Sequence, residues 1–159
     1  MKLSNLKTVK ALQQTKSVWS GSRNEFIRNM GIAKRGYLAE SMVSEILSTI
    51  GKRVAKRTNT GHDIIVNGKK VEVKLATMCD SKDGTNGNYF IINQVRVAQD
   101  YDSLYIFAIK PNTWALYSYT KAQVSRLGGN QHGGKNAQSG TKRFDFVDVP
   151  KGARLIAKG

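Results

Sequence analysis

The chain has one cysteine, two prolines and two histidines in 159 residues. A single thiol, Cys79, excludes an internal disulfide framework and suits a reducing compartment. With His62 as the only other histidine, His132 belongs to no His/Cys metal-ligand cluster. Long apolar runs are missing too. The longest strongly apolar one, Leu104–Ile109, is far too short to span a bilayer. Residues 1–20 alternate Lys, Leu, Gln, Thr and Val, without the continuous apolar stretch of a signal peptide. A soluble intracellular protein is expected, with no membrane partner. Internal repeats and long linkers are also absent.

Acidic residues are scarce. Eleven Asp and Glu stand against 26 Lys and Arg, a formal net charge of +15. Polyanions are the natural partners of such a surface, and phosphate backbones the usual ones, because each neutralised phosphate releases a condensed counterion. Nucleic acid is favoured over a membrane surface, since no strongly amphipathic basic helix is visible. Charge alone says nothing about catalysis.

The length is that of one domain over 1–159. We divide it into a basic N-terminal arm (1–33), a core (34–110) and C-terminal strands, helix and loop (111–159). The first 30 residues are polar and basic, with scattered Leu, Val, Trp19 and Phe26, and are read as one or two helices packed on the body. Lys34–Ile50 reads as a helix, because Ala39, Val43, Ile46, Leu47 and Ile50 recur at three- and four-residue spacing and Gly51 follows. Strands are expected at Arg53–Arg57, Asp63–Val66, Lys70–Leu75, Leu104–Ile109, Trp114–Tyr119 and Phe144–Val149. Short helices are expected at Ile91–Ala98 and Thr120–Leu127. Residues 80–88 and 128–141 read as loops by composition. The resulting order is helix, three strands, helix, strand, then additions, an α/β pattern.

The chemistry sits on a hairpin. Asn67-Gly68 is a strong two-residue turn signal. It pairs Val66 with Lys69, Ile65 with Lys70, Ile64 with Val71 and Asp63 with Glu72. Two carboxylates then face each other on one side of the sheet, with Lys74 on the same side as Glu72. Opposed like charges destabilise a sheet unless a cation compensates them. Hard oxygen ligands suit Mg2+ or Mn2+, and a lysine two residues along can steady a water or a phosphate oxygen. Glu40 lies on or beside the apolar stripe of its helix, either at the rim or aimed into the site. Taken singly, each residue also has an ordinary reading: a solvated Glu-Val-Lys face, a turn-capping Asp63, a rim Glu40. Their convergence in one arrangement favours the site.

At these residues the sequence resembles the PD-(D/E)XK nuclease superfamily. The matching pieces are Glu40 in Gly36-Tyr-Leu-Ala-Glu40, Asp63 in Gly61-His-Asp-Ile-Ile-Val66, and Glu72-Val-Lys74. His62 stands where the family name has Pro. The resemblance covers roughly residues 34–110. It implies a restriction-endonuclease-like αβββαβ core with a mixed central sheet flanked by helices. It also implies Mg2+ (or Mn2+) held by Asp63, Glu72 and the Val73 carbonyl, with Glu40 in support, and DNA phosphodiester hydrolysis by a metal-activated water that Lys74 positions. Gln94 looks like the Gln some members place on the second core helix; an ordinary polar helix residue is the equal alternative. Cytoplasmic action is expected, in the host if the chain is phage-encoded.

For holding the DNA backbone, the candidates are Lys52, Arg53, Lys56 and Arg57 after the first helix, and Lys34 and Arg35 at its start. Cations there oppose the helix dipole, which hints at a phosphate-facing use. Gln131, His132 and Lys135 lie in a Gly-rich loop without phosphate-loop spacing. Base-edge reading and a surface loop without a role both remain open for it. An endonuclease on duplex or branched DNA is the leading expectation. It would be a homodimer if both strands are cut, since one site cuts one strand at a time. A non-catalytic DNA-binding protein explains the charge but not the opposed carboxylates. An RNA nuclease would share the site, although no RNA-recognition signature is present.

Overall fold

The structure is a computed structural model that describes residues 17–58, 60–79, 89–127, 130–131 and 141–159. Its elements run in the order α1 (Glu25–Arg28), α2 (Ile32–Thr49), β1 (Val54–Lys56), β2 (Ile64–Val66), β3 (Lys69–Thr77), β4 (Tyr89–Arg96), β5 (Ser103–Ile109), β6 (Trp114–Thr120), α3 (Lys121–Arg126), β7 (Asn130–Gln131), β8 (Thr141–Val147) and β9 (Arg154–Lys158). A six-stranded mixed sheet, β1-β2-β3-β5-β6-β9, forms the centre; β4-β8-β7 forms a second, antiparallel sheet. The α/β class with a mixed central sheet and flanking helices is as the sequence suggests.

Helix α2 buries Ala39, Val43 and Leu47, spaced four apart on one stripe, and packs on β3 and β1. It stops where expected. Gly51 takes φ +79°, its N–H donates to Ser48 O, and the Lys52 N–H donates to Leu47 O, which satisfies the last carbonyls of the helix. The β2–β3 hairpin turns on Asn67 (φ +49°) and Gly68 (φ +81°), the left-handed pair that a two-residue hairpin requires. Its register is Ile64↔Val71, Ile65↔Lys70 and Val66↔Lys69. Strand β3 then pairs in parallel with β5.

Between β3 and β5 the structure departs from the expected helix over Ile91–Ala98. That segment is part of strand β4, paired with β8. A one-residue bulge lies between Ile92 and Val95, and Gln94 within it takes φ +57°. Ile92 and Val95, three residues apart, are therefore both buried, at 1% exposure each. The bulge imitates helical spacing. Phe90 stacks on Phe146 with ring centroids 4.8 Å apart, a contact from 56 positions away that no local pattern announces.

Residues 17–30 belong to the body. Trp19 and Ile27 are buried, the Trp19 Nε1–H donates to Met78 O, and Asn24 is bonded to Lys110 O and Pro111 O. The first half of the expected arm, 1–16, lies outside the described residues, as do the 80–88 loop, His132 and Lys135. Strand β9, which closes the sheet against β6, was not anticipated. No helix among the described residues is long and apolar enough to cross a membrane.

Candidate active site

Asp63 enters β2 with both its backbone and its side chain tied to β3. Its N–H donates to Val71 O at 3.0 Å, and its Oδ2 accepts from the Val73 N–H at 2.7 Å. The β2–β3 ladder ends at Ile64↔Val71, and Asp63 stands one residue before β2. The two carboxyl groups lie within hydrogen-bond reach of each other. Glu72 is 6% exposed, and its Oε1 accepts from Lys74 Nζ at 2.6 Å. Side chains alternate along β3, so Lys70, Glu72 and Lys74 share one face. The lysine thus offsets part of the repulsion that two facing carboxylates create.

Burial raises the pKa of Glu72 above its ordinary value, and proximity to Asp63 adds to the rise; Lys74 works against it. Glu40 is also raised, first by burial, then by the charges of Asp63 and Glu72, while Arg57 and Lys74 pull it down. Those same couplings place Glu40, Asp63, Glu72, Lys74 and Arg57 within one electrostatic cluster. Alongside runs an open groove of about 510 Å³ between α2 and β1. Tyr37, Glu40, Lys56, Arg57 and Asp63 line it.

Of the expected site residues, Glu40, Asp63, Glu72, Lys74, Lys56 and Arg57 are gathered here. Other candidates fall elsewhere. Gln94 sits exposed at the β4 bulge, in the second sheet and on no helix. Lys52 lines a separate hollow with Lys69 and Arg154. Arg53 is exposed, with its backbone N–H bonded to Asn67 Oδ1. Lys34 and Arg35 occupy the first turn of α2, and Gln131 lies in β7. Val73 contributes its amide to Asp63. Tyr37, which reading by sequence passed over, is 76% exposed in the groove wall. Its spacing of three from Glu40, one face of a helix, was the available signal.

The donor set can be tested against a hard divalent cation. Among the described residues, no cluster of three or more His, Cys, Asp or Glu side chains is close enough to hold a metal ion. What the fold provides is the Asp63–Glu72 pair, with Glu40 further out. Two adjacent carboxylates suit Mg2+, which keeps several of its waters and takes one or two carboxylates from a protein.

No protein-family model and no curated protein matches the chain. Among solved structures it is similar to a bacterial homing endonuclease, I-Ssp6803I. The likeness has 17% sequence identity and a TM-score of 0.50, covering 80% of this chain and 83% of that one. At that identity the likeness speaks to the fold: a mixed sheet with flanking helices of the kind found in that homing endonuclease.

Proposed function

We propose that the protein is a metal-dependent DNA endonuclease of the PD-(D/E)XK type, with Asp63 and Glu72 as Mg2+ ligands and Lys74 as the cationic group beside the scissile phosphate. The observation that carries this reading is the pair of adjacent carboxyl groups on a hairpin, with Lys74 Nζ 2.6 Å from Glu72 Oε1. A +15 protein has no electrostatic shortage of cations, so two carboxylates held together point to a task rather than to charge balance. The fold shared with a homing endonuclease agrees with it.

Asp63 and Glu72 would hold a hard divalent cation, which would supply Lewis acidity toward water and phosphate. The chain's own residues do the rest. Val73 fixes Asp63 through its amide, so that this carboxylate is oriented before substrate arrives. Glu72, beside Lys74, would hold the cation together with Asp63. Lys74 donates to the attacking water or to a phosphate oxygen, where negative charge grows in the transition state. Glu40 accepts a hydrogen bond from water on the groove side. Lys56 and Arg57, on the opposite wall, hold backbone phosphates. Cutting both strands takes two copies of the chain.

Purified protein is incubated with supercoiled plasmid, with Mg2+ or with EDTA. Nicking or linearisation is expected with Mg2+ alone. The Asp63→Ala and Lys74→Ala variants should lose at least about a hundredfold in rate, as expected for a group acting on transition-state charge. Both should still bind DNA. If the wild type cuts neither plasmid nor branched or single-stranded DNA, the non-catalytic binding protein takes the place of this reading.

A further inference from the structure

The groove beside the carboxylates carries an aromatic side chain that the fold itself does not use. Tyr37 sits in the second turn of α2, one turn before Glu40 and on the same face of the helix. Its side chain lines the groove with Glu40, Arg57 and Asp63 and yet stands largely in solvent. Among the described residues no ring stacks on it, no cation sits over it, and its hydroxyl has no hydrogen-bond partner. The ring therefore packs on nothing, although α2 itself is anchored to the body through Ala39, Val43 and Leu47.

The rest of that wall is small. Ser41, Ser44 and Ser48 continue it along α2, and their hydroxyls donate back to the carbonyls of Tyr37, Glu40 and Ser44 at 3.1, 2.8 and 2.9 Å. They offer the groove neither bulk nor a free donor. Tyr37 is the one aromatic among the described residues that line it, and Lys56 and Arg57 stand on the β1 side. Cations that follow a phosphate backbone, with an exposed ring beside them, are the means by which proteins hold unpaired nucleotides. In an intact duplex both faces of a base are covered by its neighbours in the stack. A ring on a groove wall finds a free base face only where a nucleotide has left the stack.

We propose that Tyr37 is a specificity residue that selects DNA with unpaired nucleotides, its ring stacking on the free face of a base while Lys56 and Arg57 hold neighbouring phosphates. The inference rests on the reading of this groove as the path of the DNA. It narrows the substrate from duplex in general to duplex interrupted by unpaired bases. Three residues of helix separate Tyr37 from Glu40 by about 4.5 Å along the axis, so the stacked base lies beside the carboxylates. Carried on an anchored helix, the ring is held in place before the substrate arrives.

The test is fluorescence anisotropy of the full chain in EDTA, where nothing is cut, on two duplexes of one sequence. One of them carries a bulge of two unpaired nucleotides. The wild type should bind the bulged duplex about 5- to 150-fold more tightly, the worth of one base–aromatic stack. Tyr37→Ala should bring the ratio of the two affinities to within about twofold of one, and Tyr37→Phe should keep it. Neither change removes packing, because the ring packs on nothing. If Tyr37→Phe loses as much as Tyr37→Ala, the hydroxyl is holding a phosphate and the stacking is wrong. A wild type that binds both duplexes alike overturns it, as does a Tyr37→Ala variant that keeps the preference. Plasmid cutting in Mg2+ tests the nuclease reading separately. A protein that cuts without a Tyr37-dependent preference keeps its active site and loses this inference. One that shows the preference and cuts nothing keeps the stack and loses the nuclease. If the wild type binds neither duplex, both fall.

Discussion

Glu72 shows how one side chain can be a liability to the fold and an asset to the site. It is nearly buried, faces a second carboxyl group, and is relieved by a single ammonium. Its pKa in the fold is raised above the ordinary 4.5, so the folded chain holds the proton to higher pH than the unfolded chain does. The stability this lends is complete below about pH 4.5 and is lost as pH rises through the raised value. Glu72→Gln keeps the shape and an acceptor for Lys74 but has nothing to ionise. In EDTA, the melting temperature of Glu72→Gln minus that of the wild type should therefore grow as pH rises from about 4 to 7. Saturating Mg2+ should shrink or reverse it, because only the wild type gains a ligand by binding. A difference that stays flat with pH would sink this account of Glu72.

At the scale of elements, the site depends on how tightly the loop before β2 is pressed into place. Gly61 has room for no side chain: a Cβ would meet the Asp100 Cβ at 2.8 Å and its backbone N and O at 3.3 Å. Part of that wall is main chain, which cannot swing aside as the tip of a flexible side chain can. Gly61→Ala should destabilise the fold by about 1–3 kcal/mol, the usual range for an overpacked position, read from urea unfolding. It should also depress plasmid cutting at temperatures where the variant remains folded, because Asp63 follows two residues later. Full activity in a destabilised variant would show that the loop's position does not set the carboxylate. The same elements explain what could be read in advance. The β2–β3 hairpin was legible because its turn and its period of two are both local, and Glu40 because its helix stripe is local too. Strand β4 was not: a bulge at Asn93-Gln94 spaced its buried residues as a helix would, and its partner β8 lies some 50 positions away.

Across the whole molecule, the question is whether the +15 charge acts as a diffuse field or along a path. Both attract DNA, but they differ in what a single substitution does. Lys56 and Arg57 stand on the groove that contains Asp63 and Glu40, whereas Lys52, only four residues away in sequence, lines a different hollow. If DNA lies along the groove, each groove cation neutralises one phosphate and adds about 0.9 to the slope of log affinity against log salt. The double variant Lys56→Ala, Arg57→Ala should then lower that slope by about 1.8, measured by fluorescence anisotropy on a duplex in EDTA between about 50 and 200 mM salt. Lys52→Ala should leave the slope unchanged. Long-range attraction through solvent is screened within about 10 Å at 0.1 M salt, so a diffuse field would not single out the groove pair. A loss per charge that is the same at Lys52 as at Lys56 and Arg57 would mean that DNA follows no groove at all, and the placement of the scissile phosphate beside Lys74 would lose its geometric support.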